Sequence, residues 1–185
     1  TLIFLRSKLM RPVAFRVGLL AGLLSQFHGG KFVGVIVTAS HNPVEDNGVK
    51  LVDPNGEMVI GIWENFATEL ANASNLSQVL NRIRKEMKIS TENCVKVAIG
   101  RDTRPSGVEL CKAIEFGVKS IKDSVNLVDL KLQTTPQFHF SVKFLNENDK
   151  NSSESLEYFE HFSSQFEKLL AGKRIEGQLV IDAAN

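Results

Sequence analysis

The chain has 185 residues, with 22 Lys+Arg against 21 Asp+Glu and a formal net charge of +1. Hydrophobic residues make up 43% and charged residues 23%, which suits one good-sized domain, or one domain and part of another, and excludes wholesale disorder. The near-neutral balance argues against a dedicated nucleic-acid binder, and a total of two cysteines, Cys94 and Cys111, excludes both a disulfide framework and a four-cysteine zinc site.

No acidic residue precedes Glu45, whereas Arg6, Lys8, Arg11, Arg16 and Lys31 do. Transit peptides share that bias, but Leu19, Leu20, Leu23, Leu24 and Phe27 recur at helical spacing and predict a helix packed on a domain. Its apolar stretch, residues 13–27, is too short for a membrane span and carries Arg16 and Gln26. Pro12 is expected in the first turn, with the helix running to about Gln26 and ending at His28-Gly29-Gly30.

Residues 31–37 (KFVGVIV) read as a buried strand. They lead into the turn-forming loop Thr38-Ala39-Ser40-His41-Asn42-Pro43. Asn47-Gly48 is a turn signal before a second strand, residues 49–52, and Asp53-Pro54-Asn55-Gly56 is a further turn. Helical patterns follow over residues 60–73 and 76–87. Residues 95–100 (VKVAIG) predict a strand, 101–107 a loop and 108–120 a helix. A strand over 125–130 is broken at Thr134-Thr135-Pro136, and 137–145 is expected to be helical. Residues 146–155 are polar and read as a linker. A helix over 156–171 carries Phe159, Phe162, Phe166, Leu169 and Leu170 on one side, and residues 178–182 (QLVID) look like an opening strand. Alternating strands and helices indicate an α/β domain with a mixed sheet.

The loop at residues 38–43 follows a buried strand, where α/β folds commonly place ligands. Ser40 offers a nucleophilic hydroxyl, and His41 beside it is able to carry or orient a proton. A hairpin-like return from residue 47 would bring Lys50 back toward Ser40, where its ammonium would stabilise a seryl phosphate and exchange a proton with a substrate hydroxyl. Taken singly, these residues favour a turn in which Ser40 and Asn42 bond their own backbone. The loop Gly100-Arg101-Asp102-Thr103-Arg104-Pro105-Ser106 also follows a strand. Arg101 or Arg104 would suit a phosphate, or Asp102 and an arginine would pair internally and pin the loop. His28, His139 and His161 are scattered, the two cysteines read as small buried or half-buried thiols, and Trp63 reads as core.

Taken together the loops are more specific. Thr38-Ala39-Ser40-His41-Asn42-Pro43, the continuation Asn47-Gly48-Val49-Lys50 and GRDTRPS at residues 100–106 resemble the phosphoserine loop and a second characteristic loop of the α-D-phosphohexomutase family. The serine loop comes first here, then GRDTRPS, then Thr134-Thr135-Pro136. That permuted order resembles the branch of the family acting on N-acetylhexosamine phosphates. The resemblance implies a mixed-sheet first domain with helices on both faces, over residues 1–150. A linker helix and the first strand of a second, similar domain would follow over residues 151–185. It implies interconversion of N-acetylglucosamine 6-phosphate and N-acetylglucosamine 1-phosphate through a phosphoserine and a sugar bisphosphate, on the route to UDP-N-acetylglucosamine in the cytosol. In that reading Ser40 carries the phosphoryl group, Lys50 moves a proton and His41 supports the loop. Arg101 and Arg104 lie near phosphate or substrate, and Mg²⁺ binds the seryl phosphate together with acidic ligands that this chain lacks. The partner implied is a phosphorylated N-acetylhexosamine, with no nucleic acid and no membrane. The family's acidic metal loop and its sugar- and phosphate-recognition loops are absent from these residues, so the chain is expected to be an N-terminal partial sequence. Two other functions remain open at this point: a hexomutase for glucose or mannose phosphates, and a truncated, non-catalytic phosphate-sugar-binding or interaction domain.

Overall fold

The β-branched run of residues 32–37 forms the central strand β2 (Phe32–Val37), buried along its whole length. The computed structural model describes residues 2–39, 42–148, 155–173, 176–178 and 180–182, and only the backbone of residues 2–8 and 155. Around β2 the chain places β1 (Leu2–Arg6), β3 (Asp46–Val52), β4 (Val95–Arg101) and β5 (Val125–Leu132) in one sheet of order β1-β3-β2-β4-β5. β3 runs antiparallel to both β1 and β2, while β2, β4 and β5 are parallel, so the sheet is mixed, as the alternating pattern predicts. β1 has no counterpart among the strands expected from the sequence.

Alternation sorts the strand side chains onto two faces. Val33, Val35, Val37, Val49, Leu51, Val97 and Ile99 join one core with α1 (Ser7–Phe27), α2 (Gly61–Asn72), α3 (Leu76–Glu86) and α4 (Gly107–Lys119). Trp63 belongs to it at 1% exposure, as expected of a lone aromatic in a helical pattern. Phe32, Ile36, Val52, Ala98 and Leu130 form the second core under α5 (Thr135–Glu147). Phe138, fully buried, lies over Gly34 and Gly100, where any Cβ would come within 2.6 Å of its ring. These two positions in adjacent strands open the seat that fixes the start of α5. Helices therefore cover both faces of the sheet.

Several expected boundaries move, each for a physical reason. Pro12 lies inside α1, not in its first turn. Met10 is fully buried, so core burial draws the preceding turn into the helix despite the hydrogen bond that a proline removes. The helix ends as expected, with Gly29 at φ 71° and Gly30 at φ 84° and Gly30 N donating to the Ser25 carbonyl at 2.9 Å. Asn47-Gly48 is strand, not turn. The reversal sits earlier, where Asp46 N donates to the Pro43 carbonyl at 3.0 Å. Asn146 is no linker residue: it lies in α5, accepts from Phe32 N at 2.8 Å and donates to the Phe32 carbonyl at 2.9 Å, tying α5 to β2.

α6 (Ser155–Leu170) touches α5 through Phe140 and Tyr158, with ring centroids 5.6 Å apart. Phe159, Phe162, Phe166 and Leu169 remain more than half exposed. The expected strand at residues 178–182 is not formed at Gln178 or at residues 180–182, and Leu179 lies outside the described residues. No helix among the described residues is long and apolar enough to cross a membrane.

Candidate functional site

The parallel strands β2, β4 and β5 all end on the same edge of the sheet, and the loops that leave them enclose an open cavity of about 830 Å³. Thr38 and Asn42 contribute from the first loop, Arg101, Thr103 and Arg104 from the second. Thr134, Thr135 and Pro136 contribute from the third. The carboxyl edge of a parallel sheet is the general ligand position of open α/β folds.

Ser40 and His41 lie outside the described residues; what the structure describes is the frame on either side of them. Thr38 N donates to the Gly48 carbonyl at 2.9 Å, and Asn42 N to the Ala39 carbonyl at 2.7 Å. From the second loop, Arg104 reaches across to the same segment. Its Nη2 donates to the carbonyls of Ala39 at 2.6 Å and Asn42 at 2.7 Å. Its Nη1 donates to Pro43 at 2.6 Å and Asp46 at 3.1 Å. Its Nε meets Asp102 Oδ2 at 3.2 Å. A guanidinium has five N–H donors, and this one spends them on four carbonyls and a carboxylate. In this arrangement Arg104 has no donor left for a phosphate, so of the two readings of this loop the internal pair is the one formed.

Asp102 completes the frame. Its Oδ2 also accepts from Ala39 N at 3.3 Å, its Oδ1 accepts from Arg104 N at 3.0 Å, and its own N donates to the Val37 carbonyl at 3.0 Å. The internal Asp–Arg pair weighed from the sequence is therefore present, and it joins the two loops. A second brace runs from Asn47 Nδ2 to Ser106 Oγ at 2.8 Å, just before α4, with Asn47 fully buried.

The remaining predicted residues divide. Arg101 lines the cavity, its side-chain carbons lie against Gly107, and among the described residues its guanidinium has no hydrogen-bonding or ion-pair partner. Lys50 returns on β3 as the hairpin predicts, but the register sets it opposite Ile36, four residues before Ser40, and it is not among the residues lining the cavity. Like Ile36 it lies on the α5 face of the sheet.

The sequence reading did not single out Gln133 or the cap of α5. Gln133 N donates to the Arg101 carbonyl at 3.0 Å, which fastens the third loop to the second. Thr134 and Gln137 form a capping box. The Thr-x-x-Gln spacing is legible in the sequence, and Thr134-Thr135-Pro136, which breaks the strand, is also the start of the helix.

The cysteines lie apart from this chemistry. Burial, with smaller contributions from Asp129 and Asp102 against Arg101, pushes the Cys111 thiol up to about 12 from its ordinary 9.0. Cys94 is exposed, contrary to the buried or half-buried expectation. A native-state thiol titration at pH 8 is expected to show one fast group, Cys94. Cys111, half-buried and with its thiol held protonated by burial, follows far more slowly. Two equal fast phases would contradict this.

Among the described residues no group of three or more His, Cys, Asp or Glu is placed to hold a metal ion. Asp102, the carboxylate of this frame, is committed to Ala39 and Arg104. The donors described in this chain do not by themselves fit Mg²⁺, which requires clustered oxygen ligands.

Comparison with known proteins agrees with this geometry. Residues 24–65 and 59–150 match the family described as phosphoglucomutase/phosphomannomutase, alpha/beta/alpha domain I. The chain is 40% identical to the phosphoacetylglucosamine mutase of Arabidopsis thaliana, the match covering 97% of this chain and 34% of that protein. It is 41% identical to the human phosphoacetylglucosamine mutase, over 94% of this chain and 33% of that protein. The crystal structure of Aspergillus fumigatus N-acetylphosphoglucosamine mutase in complex with GlcNAc-6P and magnesium superimposes with a TM-score of 0.83 at 39% identity, covering 94% of this chain and 33% of that one. A structure of the same fungal mutase with glucose 1,6-bisphosphate gives a TM-score of 0.86 at 38% identity, with the same coverage. The chain spans about a third of the length of these relatives.

Proposed function

Since the chain belongs to the phosphoglucomutase/phosphomannomutase family, we propose that it is the serine-bearing first domain of a phosphosugar mutase that interconverts N-acetylglucosamine 6-phosphate and N-acetylglucosamine 1-phosphate. The observation that carries this reading is the cavity at the carboxyl edge of β2, β4 and β5, with the segment holding Ser40 braced at its rim by Arg104 and Asp102. The preference for an N-acetylated sugar over glucose or mannose phosphates is supported by relatives named phosphoacetylglucosamine mutase. A cytosolic setting, a role in UDP-N-acetylglucosamine supply, and the division into residues 1–150 and 151–185 belong to the same proposal.

In this mechanism the phosphoryl group starts on Ser40 Oγ. A sugar hydroxyl attacks phosphorus, the P–Oγ bond breaks, and the hydroxyl proton leaves to a base, for which Lys50 is the candidate. The sugar bisphosphate then turns over, Ser40 Oγ attacks its other phosphorus, the sugar O–P bond there breaks, and the departing sugar oxygen takes back the proton from the base. Arg101, cationic and at the cavity wall, favours the anionic ligand. His41, next to Ser40 in the chain, supports the loop. The fungal relative is described with magnesium, which when bound would neutralise phosphate charge. A seryl phosphate on Ser40 would supply oxygen ligands from this chain, and the carboxylates would have to come from elsewhere in a protein of the relatives' length.

The test is a chimera in which these 185 residues replace the matching third of the human relative. It is expected to convert N-acetylglucosamine 6-phosphate to the 1-phosphate, with lower kcat/KM for glucose 6-phosphate. A folded chimera with no mutase activity on the N-acetylated sugar would overturn the reading.

A further inference from the structure

We infer that Arg104 is a positioning residue that acts through Ser40. It gathers the carbonyls on both sides of that serine onto one guanidinium and so holds the loop in a shape that accepts and releases a phosphoryl group. The inference rests on the function proposed above, and four observations lead to it.

The first is where the donors go. The four carbonyls belong to Ala39, on one side of Ser40, and to Asn42, Pro43 and Asp46, on the other. A single planar group therefore bridges the two ends of the segment that contains the serine. The second is saturation: all five N–H groups are committed, so Arg104 does not act by binding the phosphate itself. The third is burial. The Arg104 side chain is 10% exposed and Asp102, which holds its Nε and its backbone N, is 21% exposed. A nearly buried cation needs compensation, and here the compensation comes from this loop and the carboxylate that is bonded to it. The fourth is locality. Every carbonyl on the guanidinium lies between Ala39 and Asp46, so the brace serves the loop and leaves the helix and sheet cores to other groups.

The chemistry explains why such a brace matters. A seryl phosphate carries about −1.5 to −2 charges. Carbonyl oxygens are the negative ends of the peptide dipoles. Left without a donor, the oxygens that flank Ser40 would be free to face the dianion and disfavour it. Turned onto Arg104, they are committed elsewhere, and the guanidinium adds a positive charge beside the loop. Phosphoryl transfer depends mainly on positioning and on charge already in place, so a loosened loop should slow transfer while leaving the fold intact.

Lysine separates positioning from charge. Arg104→Lys keeps the cation but offers three donors from one point, which cannot span four carbonyls and a carboxylate. Arg104→Gln, a second variant, removes the charge and keeps two donors. In the chimera with the human relative, two quantities are measured for each: phosphoryl uptake on Ser40 from glucose 1,6-bisphosphate, followed by mass, and amide hydrogen exchange along these 185 residues. Arg104→Lys is expected to slow uptake by about 100-fold, the scale of a 1 Å misplacement. Exchange should quicken in peptides covering residues 38–46 and stay as in the unsubstituted protein in α1, β4 and α5. Unchanged exchange at residues 38–46, or faster exchange spread evenly over the sheet and helices, overturns the inference whatever the uptake. So does wild-type uptake in Arg104→Lys. If the unsubstituted chimera takes up no phosphoryl group on Ser40, the proposed function fails, and the location of the exchange change still decides whether Arg104 positions this loop.

Discussion

Replacing Gly117 with leucine is expected to cost more than about 4 kcal/mol, the range in which single substitutions signal a specific structural collision. Gly117 is buried in α4, where that helix crosses α1. A Cβ there would strike the Phe15 carbonyl oxygen and stand 3.0 Å from the Leu19 nitrogen. The contact is reciprocal: a Cβ on Gly18 of α1 would strike the Ile114 carbonyl oxygen and stand 3.1 Å from the Gly117 Cα. Both neighbours are backbone, so no side-chain rotation relieves either clash. The two helices can separate only by unpacking Leu20, Leu110 and Ile114 from the core of one sheet face. At about 2–4 °C per kcal/mol for a chain of this size, the midpoint of thermal unfolding should fall by roughly 8 °C or more. A midpoint within a degree or two of the unsubstituted chain would show that α1 and α4 do not cross this closely.

Replacing Lys50 with methionine in the active chimera is expected to lower kcat by about 10²–10⁴-fold, the usual contribution of a positioned proton-transfer group. KM for the sugar phosphate should change little. Lys50 lies on β3 opposite Ile36 and beside the strand that leads to Ser40. Methionine keeps the length and loses the proton site. Arginine keeps the charge but does not deprotonate in proteins, so Lys50→Arg is expected to be as slow as Lys50→Met if proton transfer is the role. Activity retained by Lys50→Arg and lost by Lys50→Met would instead assign Lys50 to electrostatic support of the phosphate. Ser40→Ala should abolish turnover in the same background.

Most of this architecture was legible because periodicity reports burial. The buried strands β2 and β4, and the helices α2, α3 and α4, follow from apolar runs and 3.6-residue spacing, which local sequence expresses directly. β1 was not legible, since its pairing with β3 is a long-range event. Pro12 misled because local propensity sets the helix start at the proline, whereas burial of Met10 extends the helix upstream. Asn47-Gly48 misled for a similar reason. The dipeptide fits a turn, yet Asn47 is held in the strand by its bonds to Gly48 N and Ser106 Oγ, a partner 59 residues away.

The site shows the same division. The loops stand out by their residue types and their places after strands, and the sequence allows a pair between Asp102 and an arginine without saying which one. What no spacing rule could give was the destination of the other Arg104 donors. An arginine beside a phosphate loop reads as a phosphate ligand, and only the positions of the Ala39, Asn42, Pro43 and Asp46 carbonyls reveal a brace. Lys50 was placed on the correct hairpin, but strand register, which sequence specifies only indirectly, set it opposite Ile36 and away from the cavity lining.

If the braced loop is a phosphoryl carrier, phosphosite mapping by mass of the chimera that contains these 185 residues, before and after incubation with glucose 1,6-bisphosphate, will show it. One phosphoryl group, mapped to Ser40 and missing in Ser40→Ala, is the predicted result. A chimera that folds and takes no phosphoryl group at Ser40 under any donor condition would contradict this and favour a non-catalytic binding domain.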